Sequence, residues 1–164
     1  MMIIRQHLVS SVVANKVISG KGNTRKKICI HETANTGKGA NASAHARLQA
    51  NGNSRKASWH WQVDDKEAVQ SFTHDYRCWH AGTTQGNNEA IAIEICVNAD
   101  GNYKKAVQNA AELVAKIMKD EKIPIENVVQ HNYYSGKNCP RIMRSGSVIT
   151  WSGFIQMVKA NLHP

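Results

Sequence analysis

Residues 90–97, Ala90-Ile91-Ala92-Ile93-Glu94-Ile95-Cys96-Val97, decide the fold. Only Glu94 interrupts an otherwise apolar run. A run this short and this apolar suits a strand covered on both faces, hence a strand near the centre of a sheet. The embedded acid is expensive to bury unless it is paired or functional. Glu94 therefore either points outward from a half-exposed strand or belongs to a site.

The neighbouring segments read outward from this strand. Tyr103 to Glu121 sets Ala106, Val107, Ala110, Leu113, Val114, Ile117 and Met118 on one stripe at helical spacing. Pro124 prevents its continuation. Val128-Val129-Gln130 reads as a short strand ending at His131. Thr150 caps a last helix with Trp151, Phe154, Ile155, Val158 and Leu162 on its buried face.

Upstream, Lys26 to Ile30 reads as a short buried strand with His31 at its end, and Thr33 to Ala40 as a loop. Asn41 caps a helix through Ala44, Leu48 and Ala50 that Asn51-Gly52 closes. Trp59 to Val63 reads as a strand, Asp64-Asp65-Lys66 as a turn, Ala68 to Phe72 as a returning strand, and Gly82 to Asn88 as a polar loop. Strands mixed with covering helices predict an α/β fold, a single domain over residues 1–164 with a central mixed β-sheet flanked by helices.

The bulk numbers narrow the function. A chain of 164 residues with 41% hydrophobic residues is globular in composition, and no stretch is long enough to span a membrane. The start has no basic segment followed by an apolar run, which predicts synthesis in a cytoplasm without a secretory signal. The net charge of +9 favours anionic partners such as cell-wall polymers. The basic residues are scattered, and the one cluster, Arg25-Lys26-Lys27, has no interleaved aromatic residue, so nucleic acid is not the expected partner. Of the 4 cysteines, Cys29 and Cys96 sit in apolar runs and read as buried small hydrophobes, whereas Cys139 has polar, turn-forming neighbours.

Strand ends in an α/β sheet open into the ligand cleft, and His31 and His131 each follow a buried strand. Cys139 lies in the loop from His131 to Pro140. Two imidazoles and one thiolate make a three-ligand set, which in zinc sites leaves a fourth position for water. His80 or His60 as a fourth ligand gives the alternative, a closed structural site. With 8 histidines in the chain chance pairing is easy, and it is Glu94 that favours the catalytic reading.

The strings Ile30-His31-Glu32-Thr33, Trp59-His60-Trp61-Gln62-Val63-Asp64-Asp65, Trp79-His80-Ala81-Gly82, Asn88-Glu89-Ala90-Ile91-Ala92-Ile93-Glu94 and Gln130-His131 through Lys137-Asn138-Cys139-Pro140 occur in this order. Together they resemble the type 2 N-acetylmuramoyl-L-alanine amidases, a family of phage endolysins and autolysins related to the peptidoglycan recognition proteins. The likeness runs from about Lys26 to Pro140.

It implies an amidase-like fold and a hydrolase that cuts the amide between N-acetylmuramic acid and the L-alanine of the stem peptide in bacterial peptidoglycan. It implies one Zn2+ ion held by His31, His131 and Cys139, with Lys137 and Glu94 as catalytic partners. Where some members carry Tyr ahead of the strand histidine, this chain has Trp59, so Glu94 is the expected assistant to the water. His60, His80 and Trp61 are candidates for substrate contact, against packing or support roles for the same residues. The resemblance further suggests a monomeric lytic enzyme that reaches the cell wall after release from the cytoplasm. A non-catalytic peptidoglycan-binding domain is the alternative, and retention of Cys139 weighs against it.

Overall fold

The computed structural model describes residues 1–164. Eight strands form: β1 (Ile3–Gln6), β2 (Ile18–Lys21), β3 (Lys27–Glu32), β4 (Trp61–Val63), β5 (Glu67–Gln70), β6 (Tyr76–Cys78), β7 (Ala90–Ile95) and β8 (Val128–Gln130). The helices are α1 (Ser11–Ala14), α2 (Ala42–Ala50), α3 (Thr84–Glu89), α4 (Tyr103–Glu121), α5 (His131–Ser135), α6 (Arg141–Ser145) and α7 (Trp151–Leu162). No helix is long and apolar enough to cross a membrane.

The main sheet has six strands in the order β1-β5-β4-β7-β3-β8, and β2 and β6 form a separate antiparallel ribbon. The main sheet is mixed, because β4 and β5 pair antiparallel while every other neighbour pair is parallel. The α/β architecture with a mixed sheet between helices is the one expected, and β7 lies inside the sheet between β4 and β3.

Strand alternation sorts the two faces. Ile91, Ile93 and Ile95 of β7 join Ile28, Ile30, Trp61, Val63 and Val128 in the main core. The apolar stripe of α4 and the Phe154 and Val158 side of α7 cover that face. The opposite face carries Cys29, His31, Ala92, Glu94 and Gln62. There α2 packs Ala42 and Ala46 against Val69 and Cys96. Register places His31 beside Glu94 and Glu94 beside Gln62, one polar row across three strands.

Several elements differ from the expectation. The regular ladder of β4 begins at Trp61 rather than Trp59, and β5 runs 67–70 rather than 68–72. The Gly82–Asn88 region is not a loop throughout but contains α3, whose N-terminus Thr83 caps by accepting from the Gly86 N–H at 3.2 Å. It has no apolar stripe, so periodicity could not reveal it. The loop expected after His131 begins with α5, and α6 follows Pro140. Strand β1 pairs on one side only, and its mostly exposed residues give no alternation to read.

Candidate metal centre

Three elements deliver the site. Strand β3 carries His31 near its C-terminal end, β7 carries Glu94 in the next row, and the segment after β8 carries His131 and Cys139. That segment folds back on itself. The Asn132 N–H donates to the Cys139 carbonyl at 3.1 Å, and the Asn132 side-chain amide donates to the Lys137 carbonyl at 3.0 Å. Gly136 ends α5 in the left-handed region, φ 76°, which a residue with a side chain rarely adopts. The reversal brings Cys139 to His131.

The donor atoms of His31, His131 and Cys139 all lie within 4.8 Å of one another. The His31 and His131 ring centroids are 4.5 Å apart. The His31 Nδ1 is 3.9 Å from Glu94 Oε1, and its Nε2 is 3.0 Å from His80 Nδ1. All three candidate ligands are buried and line a cleft of about 770 Å³ that Glu94, His80 and Lys137 also line.

The donor set fits a zinc ion. The buried His131 Nδ1 and Glu94 Oε2 have no hydrogen-bond partner, and orphaned polar atoms at one spot call for an ion or water. Burial, then the neighbouring His80, His131 and Lys137, pushes His31 well below the usual imidazole range. Burial and then Lys137 lower His131. Both rings are thus neutral near pH 7, with lone pairs free to ligate. Burial raises the Cys139 thiol to about 12, although the Glu32 backbone N–H bond to its sulfur opposes the shift. A bound divalent cation deprotonates such a thiol outright. Burial also lifts Glu94 to about 8 against the pull of Lys137.

The remaining candidates divide. His80 lies in the cleft against His31, and Asn87 of α3 holds its segment by accepting from the His80 and Ala81 N–H groups at 3.0 and 2.8 Å. Lys137 is exposed in the cleft wall without a carboxylate partner. His60 is not a cleft residue. It is fully buried, its Nδ1 accepts from the Ala92 N–H at 2.9 Å, and its Nε2 donates to the Tyr76 carbonyl at 2.9 Å. Trp61 also leaves the cleft, because alternation turns it into the main core, where its Nε1 donates to His74 Nε2 at 2.8 Å. The tryptophans that do line the cleft are Trp59 and Trp79.

The cleft also takes in His45, Asn53, Arg55 and Asn87, which the sequence did not single out. Each is a lone polar residue that carries no spacing signal.

The family model described as N-acetylmuramoyl-L-alanine amidase matches residues 21–142. The chain is 42% identical over 140 residues to the N-acetylmuramoyl-L-alanine amidase CwlH of Bacillus subtilis, covering 84% of this chain and 54% of that protein. It is 44% identical over 137 residues to the amidase XlyA of the same organism, covering 82% of this chain and 44% of that one. The chain thus spans about half the length of these relatives. The solved catalytic domain of XlyA superposes with a TM-score of 0.86 at 39% identity, covering 94% of this chain and 98% of that one. The PlyL structure superposes with a TM-score of 0.86 at 34% identity, covering 98% and 99%. On the match over residues 21–142 and these identities, the chain belongs to the N-acetylmuramoyl-L-alanine amidase family.

Proposed function

We propose that this domain is a zinc-dependent N-acetylmuramoyl-L-alanine amidase of the phage or prophage endolysin type. It hydrolyses the amide between the lactyl group of N-acetylmuramic acid and the L-alanine of the stem peptide. It is made in the cytoplasm, acts as a monomer on the bacterial wall after release, and its +9 charge favours approach to anionic wall polymers. The observation that carries this reading is the convergence of His31, His131 and Cys139 within 4.8 Å in a cleft that Glu94 also lines.

His31, His131 and Cys139 would hold the zinc ion, which would supply Lewis acidity toward the scissile carbonyl and acidify the attacking water. Glu94 orients the attacking water, takes its proton, and returns that proton to the leaving amine. Its Oε2 is buried without a hydrogen-bond partner, so it is free to receive that proton. Lys137, free of any carboxylate, stabilises the negative charge that develops on the carbonyl oxygen. His80 supports His31 through the 3.0 Å imidazole contact rather than acting on substrate alone. Trp59 and Trp79 form apolar wall for a sugar or peptide.

Incubating purified wall with the zinc-loaded protein should release new L-alanine amino termini. His131→Ala and Cys139→Ala should abolish both release and stoichiometric zinc. Wall binding without release by the loaded wild type indicates a recognition domain instead and overturns the amidase reading.

A further inference from the structure

We propose that Glu32 is the positioning residue of the metal centre, holding Cys139 in place against His31 by clamping the chain that follows the cysteine. The inference rests on the metal-centre reading above and extends it to the residue that follows His31 on β3.

Glu32 adjoins His31 on β3, so alternation points its side chain to the opposite face of the sheet, toward α4. It is only 7% exposed. One carboxylate oxygen accepts from the Ile142 N–H at 2.7 Å; the other accepts from the Met143 N–H at 3.2 Å and the Tyr103 hydroxyl at 2.5 Å. No Lys or Arg pairs with it. A buried acid without a counter-cation is held entirely by these donors.

Two of the donors are backbone groups three and four residues after Cys139. The Glu32 backbone N–H meanwhile reaches the Cys139 sulfur at 3.5 Å. One residue of the strand therefore grips the cysteine segment at both ends, the sulfur at one and the start of α6 at the other. Strand β3 is a stiff reference, paired with β7 on one side and β8 on the other. The cysteine segment has no such ladder. Metal–ligand distances hold to within about 0.2 Å of their usual values, so a clamp from the strand that bears His31 helps set the sulfur where the site needs it. A buried staple that merely stabilised the core would lower melting without touching the metal.

The test compares wild type, Glu32→Gln and Tyr103→Phe. Zinc affinity is read by competition with a chromophoric chelator. Cobalt(II) loading reports the thiolate–metal bond through its charge-transfer absorption. Glu32→Gln places an amide NH2 where an acceptor is needed. It should bind zinc roughly 10- to 100-fold more weakly, the usual cost of losing an outer-shell partner. Its cobalt form should show a weaker thiolate band per bound metal. With zinc saturating, kcat should fall while KM stays unchanged.

Wild-type zinc affinity and a wild-type cobalt band in a Glu32→Gln protein of lowered melting temperature would overturn the inference and leave the metal centre intact. A wild type that binds no zinc, or whose cobalt form lacks a thiolate band, overturns both. If Glu32→Gln does not fold, Tyr103→Phe decides. A several-fold loss of zinc affinity supports the clamp, and an unchanged affinity rejects it.

Discussion

Half-buried Glu94 and fully buried His60 both lie on the site face of the sheet, and loss of solvent moves their proton affinities in opposite directions. The carboxyl of Glu94 rises to about 8 and the imidazole of His60 falls to about 3, because burial penalises whichever form is charged. Glu94→Ala should keep one zinc per chain yet lose turnover by roughly 10²- to 10⁴-fold, the range for a general base; metal analysis beside a wall-release assay checks it, and near-normal turnover returns Glu94 to a structural role.

His60 carries a stability prediction. The unfolded chain protonates this histidine below about pH 6.5 and the folded protein does not until about pH 3. The unfolded state binds more protons across that window, so His60 makes stability fall as pH drops from 6.5 toward 3. The full effect is on the order of 4 to 5 kcal/mol, a large share of the stability of an ordinary domain. His60→Gln offers an acceptor to Ala92 and a donor to Tyr76 without titrating. Urea midpoints of the metal-free proteins between pH 7 and pH 4 should therefore fall less steeply in the variant; parallel slopes would assign the acid sensitivity elsewhere.

At the scale of elements, α4 and β7 were legible because each is long enough, or apolar enough, for its period to show. Ile93→Ala should cost about 2–5 kcal/mol in unfolding free energy, since its fully buried side chain lies between β7 and the α4 layer. Helix α3 was not legible. It holds its place through contact rather than burial of a stripe. A Cβ on Gly86 would lie 2.4 Å from the Ala81 Cβ and 2.8 Å from the Tyr134 ring. Gly86→Ala should destabilise by about 1–3 kcal/mol through overpacking, measured by chemical denaturation, despite alanine's higher helix propensity. It should also disturb His80, because Ala81 and Asn87 hold that segment.

Across the whole molecule, one turn ties the layers together. The buried Asp64 side chain accepts from the Ala42 N–H at the start of α2 and from Lys66 and Glu67 in its own turn. Its carbonyl accepts from Asn109 of α4 on the other face. Asp64→Ala leaves three backbone donors without this partner. It should cost roughly 2–4 kcal/mol, with each buried orphan worth about 1–3 and partial relaxation expected; a melting curve within a degree or two of wild type would contradict it.

By itself the sequence determined the fold class, the central strand, the long helix and the residue types of a metal site, because periodicity and strand-end histidines are local signals. The grouping of His31, His131 and Cys139 was expected through the family motifs, but only the tertiary structure brings their donor atoms together. It alone separated His80, which meets His31, from His60 and Trp61, which alternation and hydrogen bonding place in the interior. It alone turned Glu32, an ordinary acid beside a histidine, toward the chain beyond Cys139. Such contacts join residues from 49 to 111 positions apart, and no local pattern encodes which groups will meet there.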